Sequence, residues 1–242
     1  MEGRRSLRRA TIFAMASSKK TRVYLEIGKK KTFAMALDWP GWGRSGKTAD
    51  EALEALAEYA SRYAPVAKKA KFELPAGAGD GFTVVEEVKG NATTDFGAPA
   101  MFVKSDHKRV TAKEAERTAA LVQASWDTLT RVAKGSPQSL VKGPRGGGRD
   151  RDKMLDHVLS TESAYARKIG VKHKGPAIDD ETAIKAMRAD ILAVIGEKSD
   201  GKLLVPKGWP VAYTARRIAW HALDHAWEMQ DRDPGKKKKS KK

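Results

Sequence analysis

Apolar and polar residues alternate along Thr21–Ile27, which places Val23, Leu25 and Ile27 on one face of a half-buried strand. A basic tip, Gly28 followed by Lys29, Lys30 and Lys31, separates it from a second apolar run at 32–37, so the two read as a hairpin. Residues 38–43 carry Trp39, Pro40, Gly41, Trp42 and Gly43 and break regular structure. Thr48 with Glu51 forms a capping box, and Ala52, Leu53, Leu56, Ala57 and Ala60 follow at helical spacing up to Tyr63. Pro65 is expected to close that helix. Residues 82–88 read as a further strand and 100–103 as a fourth. From Thr111 the period changes to that of helices. Thr111 and Glu114 cap a first one, which runs through Leu121, Trp126 and Val132. A loop rich in Gly, Pro and Ser at 135–148 leads to a second helix, 153–169, capped by Asp150 or Asp152 and ended by Gly170. Asp179 or Asp180 caps a third, Glu181–Ile195, and the fourth is Val211–Asp231, closed by Pro234. The expected fold is an α+β N-terminal module followed by an all-α four-helix bundle.

Composition narrows the chemistry more than the fold. The chain has 242 residues and no cysteine, which removes disulfides, thiolate metal sites and a cysteine nucleophile. It fits a reducing cytoplasm. No apolar run approaches the ~18–20 residues that a membrane-spanning helix needs. The apolar patch near the start is too short for a signal peptide, and Met15 competes with Met1 as the natural start. Net charge is +17, but 11 of the 17 sit in the first 20 residues and in the Lys-rich tail after Pro234. Such ends offer non-specific contact with nucleic acid, while the centre is only mildly basic. The expected organisation is a basic extension (1–20), an α+β module (21–104), the helical bundle (108–232) and a Lys-rich tail (233–242).

Gly41 to Thr48 satisfies the GxxxxGK[ST] pattern of a phosphate loop. Trp39-Pro40 interrupts the approach and no βαβ series continues, so a tight turn capped by Thr48 is the favoured reading.

Three of the five histidines carry the strongest chemical signal. His221 and His225 stand at i and i+4, so both imidazoles share one face of the fourth helix. That face is an apolar stripe of Ile218, Ala222 and Met229. His157 lies near the stripe Met154, Val158, Thr161, Tyr165 of the second helix. Imidazoles brought together from facing helices suit a divalent ion such as Zn, Ni or Fe. Asp224, Glu228 and Glu162 are candidates to orient the ligand rings, with a solvated helix end as the plainer role for Glu228 and Asp231. A zincin protease is excluded, because Ala222 stands where HExxH needs its general base. Arg216 or Arg217 could grip a substrate carboxylate as a fork.

The segment from Arg216 to Arg232, with Leu155 to Glu162 upstream, resembles the DinB-like superfamily. The resemblance covers residues 111–232. It implies a four-helix bundle with one divalent metal held by His157, His221 and His225. It also implies, for some members, a transferase activity that uses a low-molecular-weight thiol such as mycothiol or bacillithiol, acting on a small molecule, and a homodimer. The N-terminal hairpin and the helix opened by Thr48 resemble, more weakly, a HicB-like antitoxin module. The competing expectation is a non-enzymatic regulatory protein with a structural metal or none, whose basic ends touch nucleic acid.

Overall fold

The computed structural model describes residues 20–143 and 148–235. The basic extension before Lys20 with its two candidate start sites, residues 144–147 of the glycine-rich loop, and the lysine tail from 236 lie outside the described residues. Four strands, β1 (Thr21–Ile27), β2 (Thr32–Ala36), β3 (Gly43–Gly46) and β4 (Phe82–Lys89), form one mixed sheet in the order β3-β2-β1-β4. β1 pairs antiparallel with β2 as the expected hairpin, with Leu25 opposite Ala34, and parallel with β4. Between β3 and β4 come α1 (Ala49–Glu58) and α2 (Ala60–Lys69), and after the sheet a short α3 (Ala92–Phe96). The second half holds four longer helices, α4 (Ala112–Gly135), α5 (Arg151–Ala166), α6 (Glu181–Ile195) and α7 (Val211–Asp231). No described helix is long and apolar enough to cross a membrane.

α4 to α7 share one apolar core around Trp126, Leu129, Met154, Ile191 and Ile218. The strands β1 and β2 are covered on both faces, while β4 at the edge is largely exposed. Val23, Leu25, Ala34 and Ala36 face α1 and α2 in a second cluster, which Leu121 and Ala124 of α4 and Leu223 and Trp227 of α7 complete. Tyr24, Phe33 and Met35, on the opposite face, meet Val103 and Trp220. α4 and α7 therefore serve the cores of both halves. Gly41 makes the approach of α7 possible: its φ is +94°, and a Cβ there would stand 2.7 Å from Leu223 Cδ1.

Several elements depart from the sequence pattern. β1 is buried on both sides rather than half-buried, while Ile27 at its end is exposed. Its even positions include Glu26, fully buried, whose carboxylate accepts from the Thr94 hydroxyl and from the amides of Ala100 and Met101. Those amides are thereby taken from any ladder, and 100–103 is not a strand. The glycine-rich break yields β3 within its far end, paired to β2. Pro65 does not close its helix. The chain bends at Tyr59 instead, and Pro65 sits inside α2, where burial of Tyr63, Val66 and Ala67 offsets the lost backbone bond. The phosphate-loop pattern is a capped turn: the Lys47 amide donates to the Glu51 carboxylate at 2.7 Å, and a Cβ on Gly46 would meet Ala52 N at 2.6 Å.

A buried ion pair ties the halves together. Asp106, in a 3₁₀ turn (Lys104–His107), pairs with Arg216 of α7, whose guanidinium lies 5.4 Å from the Tyr24 ring centre. Burial works to lower the Arg216 pKa, but Asp106 and Tyr24 hold it above its ordinary value.

Candidate metal centre

α7 presents His221 and His225 on one face because four residues advance a helix by about 400°, close to one full turn. α5 packs beside it and delivers His157. The ring centres lie 4.7 Å apart for His221 and His225, 5.0 Å for His157 and His221, and 5.2 Å for His157 and His225. One nitrogen from each ring lies within 4.8 Å of the others. The Nε2 atoms of His157 and His221 are 3.2 Å apart. Two nitrogens at about 2.0–2.1 Å from one tetrahedral ion would stand about 3.3–3.4 Å apart. A shared proton explains the contact between His157 and His221 equally well; His225, brought to the same face by the helix period, adds the third donor that a metal site needs. The donor set and its spacing fit one divalent ion bound by three histidines.

The surroundings favour the protonation state that a metal ligand needs. His221 is buried, and desolvation, followed by the neighbouring His225, Arg217, His157 and Arg149, holds its pKa well below the usual imidazole value. Desolvation, then Arg149 and His225, lowers His157 too, with Glu228 and Asp156 opposing. His225 keeps 12% of its side chain exposed, and its Nδ1 lies 3.0 Å from Glu228 Oε2. An Nδ1–H donated to that carboxylate leaves Nε2 as the free lone pair. Burial pushes the Glu228 carboxyl up, but His225 and Arg232 together bring it below its ordinary value. Arg232 binds the other Glu228 oxygen at 2.6 Å and donates through Nε to the Val141 carbonyl at 2.8 Å. The helix end is thus a chain running from His225 through Glu228 and Arg232 to the loop before α5.

These shifts give a prediction for the metal-free protein. The folded pKa values of His221 and His157 lie below their unfolded values, near 6.5. Above about pH 6.5 both states hold neutral imidazoles and the stability is fully present. As pH falls below it, the unfolded chain takes up protons that the folded chain refuses, so stability falls. Urea midpoints of metal-free protein should decline from about pH 7.5 to 5.5, with a shallower decline in His221→Gln. An equal slope in the variant would contradict this environment.

The structure does not bring every candidate to the centre. Glu162 is five residues beyond His157, about 140° round α5. It is buried and pairs with Arg188 at 3.1 Å, next to Trp126. Asp224 turns to Arg44 of β3 at 2.8 Å. Arg216, five residues before His221, points to Asp106. Arg217, four before, shares the histidine face, 4.8 Å from the Trp220 ring centre and 5.1 Å from that of Tyr165. Tyr165 lies 5.9 Å from His221. Two contributors were not singled out from sequence. Arg149 precedes α5 with no periodic pattern to mark it. Arg232 was signalled only by its i, i+4 spacing from Glu228. No protein-family model matches the chain, and neither a curated protein nor a solved structure gives a match.

Proposed function

We propose that this protein binds one divalent metal ion through His157, His221 and His225 and uses it in a thiol-dependent transfer reaction. The observation that carries the metal reading is the convergence of three imidazoles from two helices, two of their Nε2 atoms 3.2 Å apart. One histidine on the second long C-terminal helix and an HxxxH pair on the last is the pattern of the DinB-like superfamily. It supports reading α4 to α7 as a four-helix bundle of that type. The sheet, with its strand–strand–strand–helix–helix–strand order, supports the HicB-like reading of the first half. In this reading the protein works in the cytoplasm on a small molecule.

His157, His221 and His225 would hold the ion, which when bound would lower the pKa of a thiol or water towards neutrality. The chain's own residues supply the rest. Glu228, braced by Arg232, holds the His225 ring and its tautomer. Burial of His221 keeps its ring neutral and its lone pair available. No cysteine of the chain competes for the ion.

The test is turnover of a chromogenic electrophile by zinc-, nickel- or iron-loaded protein with a low-molecular-weight thiol. Conjugation that requires both metal and thiol, and is lost in His225→Ala, is the expected result. Metal uptake without thiol-dependent turnover would overturn the transferase reading and favour a regulatory binding protein.

A further inference from the structure

We propose that Arg217 is the recognition point for a carboxylate on the small molecule that the three-histidine centre binds, an inference that rests on the metal reading above. Arg217 is only 7% exposed. Four other arginines on or against α7 have carboxylate partners: Arg216 has Asp106, Arg44 has Asp224, Arg62 has Asp231 and Arg232 has Glu228. Among the described residues no carboxylate pairs with Arg217; its Nη1 is buried without a hydrogen-bond partner, as are guanidinium nitrogens of Arg44, Arg216 and Arg232, but those three arginines each have a carboxylate and Arg217 has none. The rings of Tyr165 and Trp220 lie against the cation and the Tyr165 hydroxyl is within its hydrogen-bonding reach, but Nη1 is left facing no acceptor, and a ring face is a poor substitute for one. A buried guanidinium keeps such a donor at a cost unless something supplies the acceptor.

Its place says what the acceptor belongs to. Arg217 stands one turn before His221 on the same face of α7, and its charge is felt at His221. Tyr165, which the Arg217 charge also reaches, is half-buried, as are His157 and Trp209 of the same aromatic cluster. With the ion bound, the centre would offer two points of attachment: the ion itself, and a planar cation whose paired N–H groups match a carboxylate. Arg216 is excluded from this role because Asp106 already occupies it.

The experiment is calorimetric titration of zinc-loaded protein with 3-mercaptopropionate, 2-mercaptoethanol and cysteamine, repeated in Arg217→Met and Arg217→Lys with zinc content measured alongside. The expected result is a preference of about tenfold or more for the carboxylate-bearing thiol, lost in Arg217→Met and partly kept in Arg217→Lys. Equal binding of the three thiols by zinc-loaded protein would overturn the role of Arg217 and leave the metal centre standing. A preference that survives in Arg217→Met would come from chelation by the ion itself and would also overturn it. If Arg217→Met does not fold, Arg217→Lys carries the comparison, with undiminished affinity as the contrary result. Failure of the wild type to take up zinc would overturn the metal reading, and this inference with it.

Discussion

Asp106→Ala is expected to destabilise the protein by about 3–5 kcal/mol, because it leaves the Arg216 guanidinium buried without its counter-charge. Both side chains are almost fully inaccessible, at 0% for Asp106 and 5% for Arg216. Asp106 also accepts from the Val103 amide at 2.9 Å, which fixes the turn that leads from the sheet half towards α4. Arg216 lies against Tyr24 on the second face of the sheet. One substitution therefore loosens β1, the turn and α7 together. The melting temperature should fall by about 6–20 °C at 2–4 °C per kcal/mol for a chain of this size. Arg216→Met in the same background should restore much of the loss by removing the stranded charge. Asp38→Ala is the control: its pair with Arg22 is 47% and 44% exposed, so the change should stay within about 1 kcal/mol. If Asp106→Ala unfolds at the wild-type urea midpoint, the pair does not join the halves as described.

The second large effect is linked to the ion. Zinc at about a hundredfold above its dissociation constant should stabilise the wild type by about 2.7 kcal/mol, because it binds the folded chain and not the unfolded one. His221→Ala/His225→Ala removes two of the three ligands, and the same zinc concentration should then leave the melting temperature unchanged. Without zinc the double variant should still melt cooperatively. The apolar face of α7 is held by Ile218, Ala222 and Met229, which the substitution leaves in place. A zinc-induced shift of equal size in both proteins would mean that the ion binds elsewhere.

What the sequence made legible was local. The capping box at Thr111 forms in full, while at Thr48 only the hydroxyl half forms, because the Glu51 carboxylate turns to the Lys47 amide; the long helices begin and end close to their caps, because those signals lie within a few residues of each other. The His221 and His225 spacing is legible for the same reason. Partners set by tertiary contact were not. The two-sided burial of β1 depends on Trp220 of α7 crossing the far face of the sheet. The loss of the expected strand at 100–103 depends on a carboxylate in β1. Glu162 looked like a neighbour of His157 because it is near in sequence, yet its side of the helix meets Arg188. Arg216 and Arg217 are adjacent and chemically alike. Only the 100° between successive helical positions separates the one bound to Asp106 from the one on the histidine face.

The most direct test is the metal content of purified, tag-free protein after incubation with zinc or nickel and removal of the excess, measured beside the His221→Ala/His225→Ala variant. About one equivalent per chain in the wild type and none in the variant is the predicted result. No metal in either protein would contradict the account, and the three imidazoles would then be a buried hydrogen-bonded cluster within the helical core.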